Sequence, residues 1–73
     1  MRMAGEIVAE MVANVLMVVA VEGATLETGD TVMILESMKM EIPVLTEHPG
    51  TLRELRVREG DVVQEGDILA IVG

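Results

Sequence analysis

Shifting this chain by 37 residues lays one half over the other, and that internal repeat constrains the fold more than any other feature of the sequence. Glu10 falls on Glu47, Glu22-Gly23 on Glu59-Gly60, Gly29-Asp30 on Gly66-Asp67 and Ile34 on Ile71. Each half carries the same plan: an apolar run, Glu-Gly, five residues, Gly-Asp, and a second apolar run. The runs cover residues 15–21 and 31–35 in the first half, 52–57 and 68–72 in the second. Two copies of one unit in 73 residues predict a single domain over residues 1–73, with a small core.

The repeat also decides between helix and strand. Residues 7–21 are the most hydrophobic stretch, and Ile7, Met11, Val15 and Val18/Val19 could line one side of a helix. In the second half Pro49-Gly50 stops any helix ahead of Thr51, so the matching run at 15–21 reads as a strand. Glu6, Glu10 and Asn14 interrupt a run already too short to span a membrane. A lone Arg2 and the lack of a small-residue cleavage pattern argue against a secretory leader. Gly23, Gly29, Gly60 and Gly66 bracket residues 24–28 and 61–65, which read as turns needing positive φ. Neither glycine pair opens onto a helix or a Lys-Ser/Thr, so no phosphate cradle is implied. Leu52 is out of phase with Leu55 and Val57, which predicts a bend near Arg53-Glu54. Short, bending, glycine-punctuated strands give an all-β fold, its two halves related by a pseudo-twofold axis and packed as two small antiparallel sheets.

Composition narrows the function. Thirteen Asp+Glu against five Lys+Arg give a formal charge of −8, which repels nucleic-acid phosphates and anionic membranes. No residue is aromatic, so base-stacking platforms are excluded and Val, Ile, Leu, Met and Ala must fill the core. The absence of Cys removes disulfides and thiolate zinc sites and suits a reducing cytoplasm. His48 stands beside Pro49 with no nucleophile or metal partner in the sequence and reads as a loop residue.

The two halves meet at Glu36-Ser37-Met38-Lys39-Met40-Glu41-Ile42-Pro43. Folded back between Met38 and Lys39, this stretch sets Ser37 against Met40, Glu36 against Glu41, Leu35 against Ile42, Ile34 against Pro43 and Met33 against Val44. That is a β-hairpin with a two-residue loop, which wants positive φ at both central positions and is usually met by Asn-Gly or Asp-Gly. Met-Lys at such a tip points to side chains retained for their chemistry, with Lys39 projecting into water. An exposed lysine is almost wholly ammonium at neutral pH, so this one reads as an acceptor worked on by another protein and not as a catalytic amine. Met38 and Met40 then serve as flexible recognition side chains beside it. Glu36 and Glu41 read as solvated carboxylates flanking the tip, not as a general acid and base.

Around Glu36-Ser37-Met38-Lys39-Met40 the chain resembles the biotin carboxyl carrier domains of the biotinyl/lipoyl attachment family, whose usual pattern is Glu-Ala-Met-Lys-Met. The resemblance extends over Glu22-Gly23…Gly29-Asp30, Gly50-Thr51-Leu52 and Glu59-Gly60-Asp61…Gly66-Asp67. It implies a flattened β-barrel or sandwich of two four-stranded antiparallel sheets, a barrel-sandwich hybrid. It implies biotin joined by an amide bond to Lys39, placed there by biotin protein ligase. Met38, Met40, Glu36 and Ser37 would be the surrounding recognition residues. The implied job is to carry a carboxyl group between the biotin carboxylase and carboxyltransferase subunits of an acyl-CoA or keto-acid carboxylase. Such a carrier is expected to be a cytoplasmic monomer and not itself an enzyme. Ser37 replaces the usual Ala. Met11-Val12-Ala13-Asn14 stands where these domains often carry Pro or Met-Pro-Gly, which predicts a looser first turn. With no linker or thumb segment, the chain reads as a free-standing carrier. Two alternatives remain: a lipoyl carrier, whose tip is usually Asp-Lys-Ala, and an unmodified interaction module using the same hairpin.

Overall fold

Period-two burial runs through most of the chain and dictates strands. In the computed structural model, which describes residues 5–73, these form β1 (Gly5–Val8), β2 (Ala13–Val18), β3 (Thr25–Leu26), β4 (Thr31–Ser37), β5 (Met40–Leu45), β6 (Gly50–Leu55), β7 (Val62–Val63) and β8 (Ile68–Val72). Residues 5–73 contain no helix. Two four-stranded antiparallel sheets, in the orders β1-β8-β6-β3 and β5-β4-β2-β7, enclose one core. The 37-residue shift carries each strand of one sheet onto a strand of the other: β1 onto β5, β8 onto β4, β6 onto β2 and β3 onto β7. The pseudo-twofold read from the sequence is thus the organising symmetry of the molecule.

The symmetry reaches individual hydrogen bonds. Gly60 N–H donates to Val15 O at 2.8 Å and Gly23 N–H to Leu52 O at 2.8 Å. Gly66 N–H donates to Ala9 O at 2.8 Å and Gly29 N–H to Thr46 O at 2.8 Å. The ladder slips between Leu52 and Glu54, where the bend was expected, and again at the matching place between Val15 and Met17. Gly23, Gly29, Gly60 and Gly66 have φ of 92°, 97°, 94° and 91°, the left-handed region the turn reading required.

Some details of the sequence reading need correction. The segments 24–28 and 61–65 are not turns throughout, because β3 and β7 lie inside them and place buried Leu26 and Val63 at the sheet edges. Burial of one side chain per segment is a sufficient reason for a two-residue strand. The runs at 15–21 and 52–57 both begin two residues earlier, at Ala13 and Gly50, and end earlier, at Val18 and Leu55. At both ends a glutamate carboxylate accepts the N–H of the last strand residue. Glu59 Oε2 accepts from Val18 N–H at 3.1 Å, and Glu22 Oε2 from Leu55 N–H at 2.7 Å. The run at 31–35 continues to Ser37 because the hairpin extends its ladder.

The core is aliphatic. Val15, Val32, Met33, Leu35, Leu52, Val63, Leu69 and Val72 are buried between the sheets, with Ala9, Ala13 and Ala70 where strands approach closely. Thr46 is the buried polar side chain among the described residues, and it is satisfied: its Oγ1 donates to His48 O at 2.8 Å and accepts from His48 N–H at 3.0 Å. Ala9 occupies the equivalent place in the first half and has no hydroxyl, so the turn at residues 10–12 lacks that side-chain tie.

Candidate functional site

The β4–β5 hairpin has the register read from the sequence. Ser37 pairs with Met40, Glu36 with Glu41, Leu35 with Ile42, Ile34 with Pro43 and Met33 with Val44. Leu35 and Met33 face the core, so a slip of one residue would throw both into water, and burial therefore fixes the register. At the tip Met38 has φ 54° and Lys39 φ 64°, positive at both central residues as a primed two-residue turn demands. The right-handed twist of the flanking strands imposes that turn even on residues that disfavour it.

Met38 is 90 % exposed and Met40 64 %, so neither is core filler. Lys39 between them is also exposed and, among the described residues, takes part in no ion pair or side-chain hydrogen bond. Glu36 and Ser37, half-buried, stand on β4 beneath the tip. Glu36 faces Glu41 directly across the ladder, an arrangement of like charges that disfavours the pairing. Asn14 on β2 pairs with Glu36 on its other side, a neighbour that sequence reasoning did not bring to the site. No local signal could have found it, since the two are 22 positions apart in the chain.

A cleft of roughly 330 Å³ opens between the edge strands β1 and β5. Its walls include Ile7, Leu35, Ile42 and Val44, but not Met38, Lys39 or Met40, and neither Glu36 nor Glu41 enters it. The two carboxylates therefore frame no enclosed reaction space. His48 is at the end of this cleft, away from the hairpin tip in sequence, with its ring against Gly5, where a Cβ would collide with it. It is an exposed loop residue, as its sequence position suggested.

The Lys39 amine is thus held outward at the end of two paired strands, outside the cleft between β1 and β5. Comparison with known proteins gives the family. The family described as "Biotin-requiring enzyme" matches residues 1–72. The chain is 49 % identical over 70 residues to the "Biotinylated protein TB7.3 homolog" of Mycobacterium leprae, covering 96 % of this chain and 99 % of that one. It is 45 % identical over 60 residues to the "Biotin/lipoyl attachment protein" of Bacillus subtilis, covering 82 % of each. Among solved structures it superposes on the urea carboxylase of Kluyveromyces lactis with a TM-score of 0.92 and 30 % identity, over 99 % of this chain and 6 % of that one. The chain belongs to the biotin/lipoyl attachment family, as a biotinyl carrier domain that is not itself catalytic, and biotin is the cofactor of its kind.

Proposed function

We propose that Lys39 is the residue that carries biotin, and that the loaded arm moves a carboxyl group between a biotin carboxylase and a carboxyltransferase. The supporting observation is an exposed lysine, unpaired among the described residues, held at positive φ between two exposed methionines at the tip of the hairpin. Such a residue fits an acyl group: nothing must be displaced to reach the amine, and the backbone that bears it is fixed by the β4–β5 ladder.

Among the described residues no carboxylate is within ion-pair distance of the amine to receive its proton. A ligase must therefore supply the base. The deprotonated Lys39 amine attacks the acyl carbon of a biotinyl adenylate. A C–N amide bond forms, the acyl–phosphate bond breaks, AMP departs and the proton passes to the ligase. Lys39 thereby loses its positive charge, and the formal count moves from −8 to −9. Biotin, once bound, supplies a ring nitrogen that accepts and releases a carboxyl group. The extended lysine and its cargo reach about 14 Å by ordinary bond lengths, enough to leave one site and enter another at high effective concentration. Met38 and Met40 offer polarizable surface to whichever protein receives the tip.

Intact mass after incubation with biotin protein ligase, biotin and ATP is the test. A gain of one amide-linked biotin, absent in Lys39→Arg with its circular dichroism unchanged, is the expected result; labelling that survives the substitution overturns the assignment. Lipoate is the second reading, favoured by the name of the Bacillus relative, and a mass gain matching lipoate from a lipoate ligase identifies it.

A further inference from the structure

The pseudo-twofold provides an internal control for reading the surface. Each outward position on the lysine-bearing sheet has a counterpart 37 residues away on the other sheet, in the same backbone geometry. Across the lysine-bearing sheet runs the cross-strand row Met17–Ile34–Pro43. Its counterpart is Glu54–Ile71–Glu6. Along and beyond β2, Leu16, Met17, Val19 and Val21 are 40, 48, 46 and 69 % exposed, and the residues that answer to them are Arg53, Glu54, Arg56 and Arg58, also exposed. The fold accepts charge at all four places in one half and carries apolar side chains at all four in the other. Folding alone does not require that difference, and contiguous exposed apolar surface marks an interaction site.

Two observations define what covers it. The hairpin belongs to this same sheet, so the face leads from the tip down β4 and along β2 and is within reach of a protein that takes up the tip. Two residues further from the tip than Glu36 and Glu41 on β4 and β5, the surface changes from that acidic pair to Ile34 and Pro43. The sheet's own strands contain no basic residue, and Lys39 gives up its charge on acylation. The complementary surface is therefore apolar at its centre and basic along the edge nearest the tip. The fold this chain superposes on is a segment of a carboxylase chain, and an enzyme whose active site takes anionic substrates carries such basic residues around it. A second copy fits poorly: face-to-face packing would bring together two Glu36–Glu41 pairs on chains of charge −8 each.

We propose that the outer face formed by Leu16, Met17, Val19, Val21, Ile34 and Pro43 docks the carboxylase that loads the group borne on Lys39, through an apolar surface edged with Arg or Lys. This rests on the carrier reading of Lys39. The face fixes the approach of the enzyme, leaving Lys39 and its cargo free to extend into the active site.

The experiment titrates the ¹⁵N-labelled, biotinylated protein with the purified biotin carboxylase of the same organism and follows backbone amide signals by NMR. Selective broadening at residues 16–21 and 34 is expected. Replacing the four apolar residues by their counterparts (Leu16→Arg, Met17→Glu, Val19→Arg, Val21→Arg) should weaken binding by about 10-fold or more, since central apolar contacts dominate interfaces. Met17→Glu alone should give a smaller loss, and serves if the quadruple variant fails to fold. Broadening over Arg53, Glu54, Arg56 and Arg58 instead, an unchanged affinity, or no binding by the wild type overturns the proposal. So does broadening of the same face without enzyme as protein concentration rises, which would mean self-association, or a loss seen only toward biotin protein ligase. Mass spectrometry of the starting material separates the two levels: a sample biotinylated at Lys39 that does not dock defeats the docking face alone, whereas a chain the ligase cannot label defeats the carrier reading.

Discussion

Met38 and Lys39 hold φ of 54° and 64° with no glycine to relieve them, and left-handed backbone costs an L residue about 1–2 kcal/mol. Across the ladder below them Glu36 and Glu41 repel. A tip chosen for stability would read Asn-Gly, so Met38→Asn with Lys39→Gly should raise stability by about 1–2 kcal/mol in urea titrations while removing the acceptor amine. Unchanged or lower stability would show that the turn bears no strain. The anomaly was visible in the sequence as the wrong residues for a two-residue loop, and it pointed to Lys39 before any contact was known. Asn14 beside Glu36 was not visible, because which strand lies next to β4 is not written near β4.

At the scale of elements, Glu22 and Glu59 do more than mark turns. Each carboxylate accepts a backbone N–H from the other half of the molecule, Leu55 for Glu22 and Val18 for Glu59, at the last residue of a strand. Glu22→Ala and Glu59→Ala should each cost about 1 kcal/mol, similar in size because the sites are related by the pseudo-twofold, and nearly additive when combined; chemical denaturation of the three variants measures this. A single costly site would mean that the two bonds differ despite their geometry. Sequence pattern located the Glu-Gly pairs but not their partners, 33 and 41 positions away. The same limit hid β3 and β7: two residues are too few to show a period, and only burial of Leu26 and Val63 against the opposite strands makes them strands.

For the whole molecule, a core without aromatic rings or disulfides rests on close packing of aliphatic side chains. Leu52 is fully buried, and Leu52→Ala should cost about 2–5 kcal/mol, a large part of what a domain of this size has to lose, seen as a fall in the thermal midpoint. The charge of −8 works against compactness at low ionic strength, so raising salt from a few millimolar to physiological strength should raise the midpoint; no change would mean that the carboxylates are too well spaced to repel.

By itself the sequence determined the repeat, the strand class and the hairpin register with Lys39 at its tip, because each depends on side chains alternating over a few residues or on one unit recurring. Only the tertiary structure decided which strands become neighbours, as when β1 pairs with β8 from the far end of the chain, and where a glutamate closes a ladder. It also decided that the apolar residues after Ala13 do not all face inward. Leu16, Met17, Val19 and Val21 lie outside, on the sheet that bears Lys39, while Arg and Glu take the matching places on the other. Hydrophobicity says that a side chain gains by leaving water; only the arrangement of strands says whether this chain's own core covers it or another protein must.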